Sequence, residues 1–142
     1  MSRSVDIDFL FESPVSPRAV LQRLRGDGFG LSRDGYFSYL LDGEEGFDWN
    51  RKEERFLDAA ITEMESDRWV GFSVGVTANL PNSTSAGEFV FQPDRLIVSF
   101  LVTVNRKNIP GSTFCDMGWY LRTLCPSFEA LGATGVETAD VA

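Results

Sequence analysis

Two runs in the middle of the chain alternate apolar and small or polar residues. Val70, Phe72, Val74 and Val76 interleave with Trp69, Gly71, Ser73, Gly75 and Thr77. Leu96, Val98, Phe100, Val102 and Val104 interleave with Arg95, Ile97, Ser99, Leu101, Thr103 and Asn105. A period of two places each apolar set on one face of a β-strand and the rest on the other. Between the runs lie a polar stretch, 81–87, and the short apolar run Phe89, Val90 and Phe91. A Gln92-Pro93-Asp94-Arg95 turn follows, with proline where a type I turn favours it. The spacing therefore predicts a meander of three strands with a valine and phenylalanine face turned to the core.

The flanking segments supply the elements that would cover this sheet. Val5, Ile7, Phe9 and Phe11 form a further half-buried strand, with Asp6 and Asp8 on its outer face. Ser16 and Pro17 are an N-cap and a first helical residue, opening a short helix to about Arg25 on the stripe Val20, Leu21 and Leu24. The glycines of Gly26-Asp27-Gly28-Phe29-Gly30 follow a helix where a dinucleotide loop would join a strand to one, so they read as a helix end and a turn. Gly35 to Leu41 is a second strand, apolar on both faces and hence central or covered. Asn50 with Glu53 resembles a capping box, predicting a second helix to about Asp67 with Phe56, Leu57, Ala60, Ile61 and Met64 buried.

Beyond the last long strand, Ser112 or Thr113 is the expected cap of a third helix. Its expected buried side is Phe114, Met117, Gly118, Leu121, Leu124 and Cys125, and Pro126 is expected to end or kink it. Residues 1–132 are expected to form a single domain, with 133–142 an edge strand or a disordered tail. The expected fold class is α+β: a mainly antiparallel, twisted β-sheet with about three helices packed on one face.

Composition narrows the chemistry more than it identifies it. The chain has 142 residues and no histidine, which removes histidine-based nucleophilic triads and histidine zinc sites. Its two cysteines, Cys115 and Cys125, cannot build a structural zinc site, and a continuous helix would hold them about 15 Å apart, too far for a disulfide. Cys115, beside Asp116 at a helix start, is either a core thiol, the favoured reading, or one activated by the helix dipole. Asp6 and Asp8, two apart on one strand face, could converge on a cation or a sugar, although a solvated sheet face is the simpler reading. Setting Asp42 to Glu53 against a calcium-binding loop fails at Gly46 and Phe47, where a ligand and a glycine are needed. No catalytic residue, cofactor or metal site is assigned.

Charge is concentrated. Ten acids and three bases lie between Asp42 and Asp67, so this segment holds a net −7 of the chain's −8. Such a field disfavours nucleic acid and suits a cationic partner. No apolar run approaches the ~20 residues needed to span a bilayer, and acids near the start argue against a signal peptide, so a cytoplasmic, membrane-free protein is expected.

Two candidate surfaces follow. The first is Asp42, Glu44, Glu45, Phe47, Asp48 and Trp49, aromatic anchors inside an acidic rim, as in many protein-binding hot spots. The second is the outer sheet face of Trp69, Gly71, Ser73, Gly75, Ile97 and Leu101, where small residues would leave a shallow floor with an apolar rim. The leading expectation is a non-enzymatic protein-binding module whose acidic surface takes a basic partner. Its size and charge character are those of small acidic bacterial immunity or antitoxin-like proteins, an analogy of composition alone. The alternatives are a small-molecule binder or carboxylate-using enzyme on the sheet face, and a homodimeric scaffold that buries that face.

Overall fold

A computed structural model describes residues 3–41 and 49–142 of the chain. It is an α+β structure: one seven-stranded antiparallel sheet with three helices packed on one side. The strands are β1 (Ser4–Leu10), β2 (Tyr36–Leu41), β3 (Trp49–Glu53), β4 (Val74–Asn79), β5 (Ala86–Phe91), β6 (Ile97–Val104) and β7 (Gly135–Val141). In space they run β3-β2-β4-β5-β6-β1-β7. The meander β4-β5-β6 occupies the centre, β1 closes against β6, and β7 pairs with β1 along its whole length as an edge strand.

The helix side of the sheet follows the period of two. Val5, Ile7 and Phe9 of β1, Phe37 and Tyr39 of β2, Val74, Val76 and Ala78 of β4, Phe89 and Phe91 of β5, and Val98 and Phe100 of β6 are all buried. Helix α1 (Pro17–Gly26) lays Val20, Leu21 and Leu24 on them, and Ser16 caps it by accepting from the Ala19 amide at 3.1 Å. Helix α2 (Leu57–Met64) adds Leu57, Ala60, Ile61 and Met64, and α3 (Met117–Ala130) adds Tyr120, Leu124 and Phe128. Phe128 stacks on Phe9 with ring centroids 4.0 Å apart, joining the last helix to the first strand.

Several expected boundaries move. The strand expected from Trp69 begins at Val74. Residues Asp67–Trp69 form a 3-10 turn, Gly71 takes φ +83°, and Val70 and Phe72 face outward at 71% and 36% exposure. The cause is Arg95, whose guanidinium donates to the carbonyls of Trp69, Gln92 and Phe72 at 3.0, 2.9 and 2.6 Å and folds the segment back on itself. Asn50 lies inside β3 instead of capping a helix, because 49–53 pairs with β2; α2 starts only at Leu57, after a 3-10 turn at Glu54–Phe56.

The third helix is capped by Asp116, which accepts from the Trp119 amide at 3.2 Å, not by Ser112 or Thr113. Its buried line is Tyr120, Leu124, Ser127 and Phe128, rotated from the expected one; Phe114 precedes it and is exposed. The rotation follows a polar anchor. The Tyr120 hydroxyl lies 2.6 Å from Ser85 Oγ and accepts from the Lys107 amide at 2.9 Å, so a buried phenol has its partners. Pro126 neither ends nor breaks the helix, which continues to Ala130 because Ser127 and Phe128 beyond it are held in the core.

Candidate functional site

The sheet face away from the helices carries the chemistry. Cross-strand register orders it into rows. One row runs Trp49, Leu40, Gly75, Val90, Ser99, Asp8; the next runs Arg51, Ser38, Thr77, Glu88, Leu101, Asp6. The first row is largely closed. Leu40 is wholly buried, and Val90, Ser99 and Gly75 are buried beside it. Trp49 lies across Gly75: a Cβ added there would be 3.2 Å from Trp49 Cη2 and 2.7 Å from the Phe89 carbonyl oxygen. Glycine is needed at this position so that an indole can rest on the sheet.

At the β1 end the face opens into a cavity of about 300 Å³ lined by Asp6, Asp8, Val90, Gln92, Ser99 and Leu101. Gln92 Nε2 donates to Ser99 Oγ at 3.1 Å and fixes the polar floor. One oxygen of Asp6, Oδ1, is shut off from solvent and has no hydrogen-bond partner. Buried acceptors are normally satisfied, so this atom marks a place where a donor is missing. Burial, and then the charge of Asp8, push the Asp6 carboxyl above its ordinary pKa. Register places Glu88 on the far side of Leu101 from Asp6, and burial raises its pKa as well. Three carboxylates thus surround an apolar centre, two of them held where ionisation is unfavourable.

At the opposite end a second cavity, of about 250 Å³, is lined by residues that include Ser32, Arg33, Asp34, Tyr36, Ser38, Arg51, Thr77, Asn79, Ala86 and Thr103. A β-bulge between Ala86 and Gly87 falls within its lining. A Cβ on Gly87 would overlap the Leu101 carbonyl oxygen and come within 2.7 Å of the Phe100 ring.

The expected site residues divide. Gly75, Ile97 and Leu101 do lie on the outer strand positions, and Ser73 is buried just before β4. Trp69 and Gly71 do not share that face. Trp69 Nε1 donates to Glu63 of α2 at 2.8 Å, which places the indole on the helix side, and Gly71 belongs to the Arg95-held turn. Of the acidic candidates, Asp42, Glu44, Glu45, Phe47 and Asp48 lie outside the described residues, while Trp49 is half-buried over Gly75. Asp6 and Asp8 were visible as a pair two apart. Glu88 and Arg51 carried no sequence signal, because only pairing across six strands puts Arg51, Glu88 and Asp6 in one row.

Cys115 is buried, and burial first, with Asp140 next, pushes its thiol up to about 11. It sits before the helix rather than in its first turn, so the dipole does not activate it. Among the described residues no group of three histidine, cysteine or acidic side chains is placed to hold a metal ion, and no helix is long and apolar enough to cross a membrane. No family model, curated protein or solved structure matches the chain.

Proposed function

We propose that this protein is a binding module that receives a basic protein partner on its outer sheet face, with Asp6, Asp8 and Glu88 taking guanidinium or ammonium groups around Leu101. The observation that carries this reading is the cavity in which Asp6 and Asp8 lie side by side next to Leu101, with no cationic side chain on its lining. A cationic side chain entering the cavity would offset the charge on Asp6 and remove the repulsion between Asp6 and Asp8; charge-assisted contacts of this kind are the strong ones. Leu101 between the carboxylates gives the aliphatic stem of arginine or lysine an apolar surface.

Self-association that sets the Asp6 ends of two copies against each other is disfavoured, because like charges would meet. The direct test is titration with hexa-arginine at physiological ionic strength, followed by amide NMR. Saturable shifts at residues 6, 8, 88, 99 and 101, weakened at least tenfold by Asp6→Asn with Glu88→Gln, support the reading. Absence of saturable binding, or binding indifferent to both substitutions, rejects it.

A further inference from the structure

The cavity at the other end of the outer face has the opposite character. We infer that it is a binding site for a small, hydroxyl-bearing oxyanion, a carboxylate or phosphate with one or two negative charges. This inference is independent of the cationic partner proposed for the Asp6 end.

Two arginines line the cavity, Arg33 and Arg51. Among the described residues the ion pairs are made by Arg3, Arg18, Arg23, Arg55 and Arg68, and neither Arg33 nor Arg51 joins one. In a chain of net charge −8, two unpaired guanidinium groups on one small cavity are a local reversal of sign. Asp34 is the one acid on the lining, so the wall remains net positive; Glu88, the cross-strand partner of Thr77, lies just outside it.

Arg51 is also pre-positioned. Its Cζ lies 4.0 Å from the centroid of the Tyr36 ring, a cation–π contact that holds the guanidinium over the ring and leaves its N–H groups for a ligand. Tyr36 is itself held by a tight hairpin, in which the Arg33 and Tyr36 amides donate to each other's carbonyls at 2.7 and 3.0 Å around Asp34 and Gly35, both at positive φ. The same hairpin therefore sets where Arg33 and the ring beneath Arg51 stand. Such rigid placement favours a two-point grip on a planar or tetrahedral oxyanion.

The floor favours hydroxyls over apolar groups. The Ser38 and Thr103 side chains make no hydrogen bond among the described residues, and Thr77 Oγ1, which donates to the Ser38 carbonyl at 3.3 Å, keeps acceptor capacity. At about 250 Å³ the cavity is slightly smaller than the ~300 Å³ at the low end of drug-sized sites, which points to a small metabolite.

The test is amide and arginine-side-chain NMR with three sodium salts at matched ionic strength: phosphate, D-gluconate and chloride. Saturable shifts at Arg33, Ser38, Arg51, Thr77 and Thr103 with phosphate or gluconate, and none with chloride, are expected. Gluconate binding more tightly assigns a hydroxylated carboxylate; phosphate binding more tightly assigns a phosphoryl group. Arg51→Gln and Arg33→Gln, both at exposed positions, should each weaken binding at least tenfold, while Arg25→Gln on the exposed side of α1 leaves it unchanged. No saturation by 20 mM of either oxyanion, equal shifts with chloride, or insensitivity to both arginine substitutions overturns the inference. Failure of hexa-arginine to bind elsewhere on the face has no bearing on this result.

Discussion

Ser127 and Asp27 are one hundred residues apart in sequence and meet in a hydrogen bond: the Ser127 hydroxyl donates to Asp27 Oδ2 at 2.6 Å. The same oxygen accepts from Arg23 Nε at 2.9 Å. The contact ties the C-terminal end of α1 to α3 just beyond Pro126, and Ser127 is only 2% exposed. These bonds, the one from Ser127 first and the one from Arg23 next, hold the Asp27 carboxyl below its ordinary pKa. Asp140 is likewise lowered, chiefly by the Cys115 amide and by Arg3.

Together with Asp6 and Glu88, these two carboxylates give the fold a pH signature with two limbs. A depressed folded pKa means the unfolded chain binds more protons, so the stabilisation from Asp27 and Asp140 is present above the unfolded value and lost as pH falls through the folded one. Asp6 and Glu88 are raised, so the folded chain holds the extra protons and their strain appears as pH climbs through their folded values. Stability is expected to peak in mild acid, at roughly pH 4–5, near ordinary carboxylate pKa values. Thermal melts of the protein and of Asp6→Asn isolate the upper limb. The substitution should raise the melting temperature at pH 7 and have less effect at pH 4.5. A lower melting temperature at pH 7 would show that Asp6 is not under strain.

Gly75→Ala puts a methyl group against the Phe89 carbonyl oxygen and Trp49 together, in the second-closest strand to the sheet centre. Overpacking of this kind costs about 1–3 kcal/mol, read as a lower urea midpoint with an unchanged slope. Combining it with Trp49→Ala should recover only part of the loss, because the backbone oxygen cannot move away as an indole can.

Arg95 holds its turn with three carbonyl bonds while itself at φ +61°. Arg95→Ala leaves the Trp69, Gln92 and Phe72 carbonyls without their shared donor. A loss of about 2 kcal/mol is expected, at the charged end of hydrogen-bond contributions. Trp69 fluorescence should shift to the red as the indole becomes wetter, and an unchanged emission maximum would show that the turn does not depend on Arg95.

The two thiols should differ in reactivity. Cys115 is buried and raised to about 11, whereas Cys125 is half-buried beside a shallow cavity. Iodoacetamide at pH 7.5, followed by peptide mass spectrometry, is expected to label Cys125 first and Cys115 only at the rate of unfolding. Fast labelling of Cys115 in the native state would contradict the burial of its sulfur.

Tyr120→Phe removes a phenol shared between Ser85 and the Lys107 amide. Leaving those two groups without it should cost about 1–3 kcal/mol, measured as a lower midpoint of denaturation.

Local pattern was enough to place much of this molecule. The period of two in Val74–Val76, Phe89–Phe91 and Val98–Val104 is a property of the strand itself, so the helix-facing side of the central meander could be read residue by residue. The Ser16-Pro17 start of α1 could be read for the same reason, since a cap is made within four residues. What no local pattern could decide was set by groups that meet across the fold. Val70 and Phe72 continue the alternation perfectly, yet Arg95 binds their turn and turns them out to solvent. Asn50 and Glu53 match a helix start, yet pairing with β2 gives those residues a ladder that outweighs a cap. The outer face shows the same division. Small residues on one side of the central strands were evident from spacing. That Asp6 and Glu88 flank Leu101 at one end, and that Arg51 lies on Tyr36 at the other, follows from strand order, which depends on non-local pairing energies that no single segment encodes.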